Sequence, residues 1–101
     1  MLDDLEYTSV DGARRDHAIS LYTLSTCGFC KRAMAFLGKE GFAYRYIHLD
    51  LIPLERKTAI KKVLKEAFKQ DVAFPFAIID DTAHLVGFIE PDWKLTLGLK
   101  G

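Results

Sequence analysis

Cys27-Gly28-Phe29-Cys30 sits between the apolar run Ile19-Ser20-Leu21-Tyr22-Thr23-Leu24 and a helix-like stretch from Lys31 to Glu40. A strand that feeds a helix through Cys-x-x-Cys is the usual construction of a redox-active dithiol. With Cys30 in the first helical turn, the two α-carbons come within disulfide range, about 4.4–6.8 Å. The amides at the helix start point toward the first sulfur, and their partial positive charge favours its thiolate. Lys31 and Arg32 follow directly and add full charges, which makes them candidate thiolate-stabilising residues.

Two other uses of a close cysteine pair fit less well. Structural zinc takes four ligands, and His17, His48 and His84 include no pair at the close spacing of a second ligand couple. No metal is therefore expected. A purely structural disulfide would close a loop too short to stabilise much. The opening Met1-Leu2-Asp3-Asp4-Leu5-Glu6 is acidic where a secretory leader is basic and then apolar. A reducing, cytoplasmic compartment is the expectation, and there a cysteine pair is more often catalytic.

Length and composition agree. One domain is expected from 101 residues, enough to hold a core without cross-links. Charges cancel to a net of +0, which argues against nucleic acid as the main partner. No apolar stretch is long enough to span a bilayer. Charge is uneven, however. Residues 53–69 carry Arg56, Lys57, Lys61, Lys62, Lys65 and Lys69 against Glu55 and Glu66, while the N-terminal stretch is acidic. A basic helical face reads first as a solvated face; the alternative is a docking surface for an acidic partner such as a ferredoxin or a reductase.

Along the chain, residues 18–24 read as a buried strand, with Ile19, Leu21 and Thr23 on one face and Tyr22 and Leu24 on the other. A helix from Gly28 to Glu40 stops at Gly41. Residues 43–49 alternate as a second strand, and a second helix begins near Pro53 with the stripe Ile60, Val63, Leu64, Ala67, Phe68. Phe74 to Ile79 reads as a third strand, Asp80 to Ala83 as a hairpin turn, and His84-Leu85-Val86 as the fourth strand. A short last helix runs from Pro91 to Leu97. This order gives an α/β chain with a four-stranded mixed sheet and three helices. Residues 1–17 form an N-terminal extension before a domain at 18–101, with Glu6 to Val10 as an added edge strand turning at Asp11-Gly12.

The segment Leu21-Tyr22-Thr23-Leu24-Ser25-Thr26-Cys27-Gly28-Phe29-Cys30-Lys31 resembles the active-site segment of glutaredoxin-like proteins of the thioredoxin superfamily. Phe74-Pro75 before a strand and the Val86-Gly87-Phe88 turn share that resemblance. It implies a thioredoxin-like fold and a cis Phe74–Pro75 bond packed against the dithiol. It also implies a protein-disulfide oxidoreductase in which Cys27 attacks as thiolate and Cys30 resolves the mixed disulfide. Substrate contacts are expected from Thr26, Phe29, the backbone of Phe74 and Pro75, Gly87 and Phe88.

The departures from that family speak to the electron donor. Glutaredoxins that use glutathione usually carry lysine three residues before the first cysteine, where this chain has Leu24. They also carry two glycines after the fourth strand, where Gly87 is followed by Phe88, whose ring is expected to crowd the approach. Glutathione is therefore disfavoured. The ending Gly87-Phe88 with Pro91-Asp92 is closer to redoxins that serve ribonucleotide reductase and to short bacterial and archaeal glutaredoxin-like proteins. That resemblance implies a dedicated reductase, thioredoxin reductase or a ferredoxin-linked disulfide reductase. No cofactor is required for exchange. The competing class is an iron–sulfur carrier, suggested by the small Gly28 where the family has proline; Cys30 and the weakened glutathione site oppose it.

Overall fold

The computed structural model describes residues 2–99. Its centre is β2 (Ile19–Thr23), buried at every position, as a strand covered on both faces must be. β2 leads into α1 (Gly28–Lys39), which crosses over to β3 (Tyr44–His48), parallel to β2 with Leu21 opposite Tyr46. α2 (Leu54–Phe68) follows a single 3₁₀ turn at Leu49–Leu51. β4 (Phe76–Ile79) returns antiparallel to β2, β5 (Ala83–Val86) pairs with β4, and α3 (Glu90–Thr96) completes the domain.

The sheet has five strands, because the N-terminal segment adds β1 (Thr8–Val10), antiparallel to β3. The spatial order is β1-β3-β2-β4-β5. Because β2 and β3 are parallel, their C-terminal ends meet at one end of the sheet, where β4 also starts and β5 finishes. That end carries the cysteines.

Alternation along the strands builds two apolar layers. On one face Ile19 and Leu21 pack with Phe36 and Leu37 of α1 and Trp93 of α3. On the other, Tyr22, Ile47 and Phe76 pack with Ile60 and Leu64 of α2, and Leu2, Leu5 and Tyr7 lie against this layer. Only the row Ile60, Leu64, Phe68 of the expected α2 stripe reaches that layer; Ala67 is exposed.

Local chemistry explains the boundaries. α1 ends in a Schellman arrangement: Gly41 takes φ 76°, its N–H donates to Gly38 O at 3.1 Å, and Phe42 N–H donates to Leu37 O at 3.0 Å. β4 begins at Phe76, later than the sequence suggests, because Phe74 and Pro75 lie in a turn with a cis bond between them. Asp80 and Asp81 both have positive φ in the β4–β5 turn, which suits a tight hairpin. α3 starts at Glu90, with Pro91 in its first turn, where a missing N–H costs nothing.

Candidate active site

Cys27 is the N-cap of α1. Its φ and ψ, −84° and 118°, are extended, and its Sγ accepts the N–H of Cys30 at 3.2 Å. The sulfur therefore occupies the place where a serine or aspartate oxygen would satisfy an unpaired helix amide. The thiol hydrogen points to Phe74 O, 3.8 Å away. Cys27 is half-buried, Cys30 is buried, and both thiols are free. Burial, reinforced by the hydrogen bond and charge of the Cys27 sulfur, pushes the Cys30 thiol up to about 12.

The loop that presents Cys27 is held from β3's side. Asp50, in the 3₁₀ turn after β3, accepts both the backbone N–H of Ser25 at 2.9 Å and its hydroxyl. These bonds hold the Asp50 carboxyl below its ordinary range. Cys27 N–H donates back to Leu24 O at 3.1 Å. One residue earlier, buried Thr23 donates its hydroxyl to Ile47 O at 3.1 Å. His48 Nδ1, 2.7 Å from the same oxygen, is then the donor in that pair. Neither Ser25 nor Asp50 was among the site residues expected from sequence. The signal was available: parallel neighbours finish at the same end of a sheet, so a polar residue just past β3 faces the loop just past β2.

The structure draws distinctions among the expected site residues. Cys27, Cys30, Phe74 and Pro75 come together. Phe29 is 58% exposed and forms an apolar shoulder beside the cysteines. Thr26 is exposed, and among the described residues its hydroxyl makes no hydrogen bond; the cap is Cys27 itself. Arg32 lays its guanidinium over the Phe29 ring, 5.6 Å from the centroid, and Lys31 is exposed on the helix. Among the described residues, no hydrogen bond joins either cation to the Cys27 sulfur.

Gly87 and Phe88 both have partners within the chain. Gly87 has φ 76°, but its N–H is already given to Pro75 O at 2.8 Å and its carbonyl accepts Trp93 Nε1–H at 3.0 Å. Gly87 thus braces the Pro75 turn, and its amide is not free for an incoming ligand. The Phe88 ring, expected to crowd that approach, packs instead on Phe36 and Trp93, with centroids 5.6 and 5.3 Å apart. Apolar burial draws it to α1 and α3, with an edge-to-face contact on Trp93.

Against known proteins, the family model described as Glutaredoxin matches residues 19–83. The fold is similar to a glutaredoxin from Methanosarcina mazei Go1, at 29% identity and a TM-score of 0.78, covering 92% of this chain and 88% of that one. It is also similar to the methanoredoxin of Methanosarcina acetivorans, at 34% identity and 0.72, covering 81% and 85%. A glutaredoxin from Archaeoglobus fulgidus shares 25% identity at 0.69, covering 85% and 98%. No curated protein matches the chain significantly.

Proposed function

This chain belongs to the glutaredoxin family, a family of thiol–disulfide oxidoreductases, and on that premise we propose that it reduces protein disulfides by dithiol exchange through Cys27 and Cys30. The observation that carries the proposal is the asymmetry of the pair: Cys27 caps α1 half-exposed with a helix amide on its sulfur, and Cys30 is buried behind it.

The Cys27 thiolate attacks one sulfur of the substrate disulfide, and the other leaves as thiolate and takes up a proton. Cys30 then loses its proton, attacks Cys27 Sγ, closes the internal disulfide and releases the second substrate thiol. Two electrons pass from the dithiol to the substrate. The order follows from the environments. Cys30 is held protonated partly by the Cys27 sulfur; once that sulfur is in a mixed disulfide, its hydrogen bond and charge no longer oppose ionisation. Resolution is therefore easier after the first attack than before it.

The side chains of Thr26 and Phe29 and the Phe74–Pro75 backbone would line the approach of the substrate strand, with a β-like contact to Phe74. Electrons would come from a dedicated reductase, either thioredoxin reductase or a ferredoxin-linked enzyme, rather than from glutathione; Leu24 at the place of the family's lysine favours this. Cys27→Ser is expected to abolish disulfide reduction, and Cys30→Ser to accumulate a mixed disulfide visible by intact mass. Undiminished turnover in Cys27→Ser would overturn the mechanism. Millimolar glutathione is expected to leave the oxidised protein closed; rapid appearance of two alkylatable thiols would reverse the donor assignment.

A further inference from the structure

α2 carries a row of lysines beside the cysteine end. Lys57, Lys61 and Lys65 recur at every fourth residue, and Lys69 continues the row at the helix C-cap. That interval stacks side chains on one face, here over about 18 Å. Like charges at this spacing destabilise a helix. Arg56 and Lys57 also stand in the first turn, where the helix's own partial charge disfavours cations. Among the described residues, Lys65 alone of these α2 cations has a carboxylate partner, Asp71 at 3.4 Å. With a net charge of +0 for the whole chain, this is a local concentration rather than a general excess.

The row does not begin in solvent alone. Leu54, seven residues before Lys61, shares its face, and Leu51 and Leu54 are 70% and 73% exposed. Leu51 ends the turn whose Asp50 holds Ser25, two residues before Cys27. Two bare leucines therefore stand at the cysteine end of the sheet, and a cationic ridge leads away from them.

We propose that this face docks an acidic protein that exchanges disulfides with Cys27 and Cys30, an apolar side chain of the partner resting on Leu51 and Leu54 and its carboxylates spaced along the lysines. The proposal rests on the exchange reading above. A protein is the occupant because whatever docks there must bring a disulfide or dithiol to Cys27, and because leucines at the head of the row serve no purpose for a nucleic acid backbone.

The test uses the reduced 101-residue chain and two synthetic disulfide peptides of equal length, one with a leucine-led acidic arm and one with a neutral arm. At low ionic strength the acidic peptide is expected to be reduced about tenfold faster, with the advantage collapsing at high salt. Lys61→Glu with Lys65→Glu should bring the ratio of the two rates to one or below, and Lys61→Arg with Lys65→Arg should preserve it; circular dichroism checks that both variants fold. Equal rates on both peptides would overturn the docking face while leaving exchange intact. Reduction of neither peptide would overturn the exchange reading, and the docking proposal with it. Tighter binding of a single-stranded oligonucleotide of equal charge, or charge-dependent self-association in sedimentation, would also overturn it by assigning the face to another occupant.

Discussion

Cys30 is silent in the resting protein because burial and the neighbouring Cys27 sulfur both oppose its ionisation, burial being the larger. The two causes can be separated. Capping Cys27 with a small alkyl group should lower the Cys30 titration midpoint, followed by thiolate ultraviolet absorbance, yet leave it above the free-thiol value of 9.0. An unchanged midpoint would mean that Cys27 plays no part; a fall below 9.0 would mean that burial does not. Trp93 is a second residue whose weight is local. Its indole N–H holds the Gly87 carbonyl in an otherwise apolar setting. Trp93→Phe is expected to cost about 1–3 kcal/mol in denaturant unfolding and to slow disulfide reduction by loosening the turn that braces Pro75. Gly12 packs against backbone: a Cβ there would meet Gly41 O and the Phe42 carbonyl carbon at 2.6 Å. Gly12→Ala should therefore cost about 1–3 kcal/mol, and stability equal to wild type would contradict that packing.

Among the elements, the N-terminal segment is tied to the sheet by more than the three-residue β1. Tyr7 OH donates to Leu2 O at 2.8 Å, so the proton in its 2.6 Å contact with Tyr22 OH comes from Tyr22. Tyr22 is 1% exposed, and burial raises its hydroxyl's pKa. Arg45 spans the same patch, with its guanidinium 3.9 Å from the Tyr7 ring centroid and its Nε on Ser20. Tyr7→Phe strands the Tyr22 hydroxyl and is expected to cost about 1–3 kcal/mol. Tyr22→Phe should cost less, and the double variant less than the sum of the two. Additive losses would show that the hydroxyls act independently. This attachment was poorly legible in the sequence, because Leu2, Leu5 and Tyr7 show no helical period and little strand alternation, and their partners lie on other elements. The central β2–α1–β3 unit was legible, since burial imposed an unbroken apolar run and Gly41 marked the helix stop. Cys27 and Cys30 were legible for the same reason: their spacing is local. What escaped was long-range, namely Asp50 on Ser25 and the inward turn of Phe88, each set by which elements the topology brings together.

Over the whole molecule, the end opposite the cysteines has its own fastening. Asp80 accepts from Ala18 N–H at 2.8 Å and meets His17 Nδ1 at 2.7 Å, with Asp16 3.7 Å from the other ring nitrogen. The hydrogen bond to Asp80 raises the His17 pKa above 6.5, and the same bond holds the Asp80 carboxyl below 3.8. The stability from His17 is present below pH 6.5 and is lost as pH rises through its raised folded value. That from Asp80 is present above pH 3.8 and is lost as pH falls through its lowered one. The gap in Tm between wild type and His17→Gln should therefore be widest between pH 3.8 and 6.5 and stay modest, because the carboxylate is partly in water. A gap that is flat across pH would show that the pair is not ionic. At the other end, the unequal exposure of the two sulfurs makes the native reduced chain a one-handed reagent. A bulky maleimide should couple once per molecule, at Cys27, and reach Cys30 only as fast as the fold opens. A dye or spin label can thus be hung at the single point where partners must arrive, turning the chain into a reporter of its own encounters.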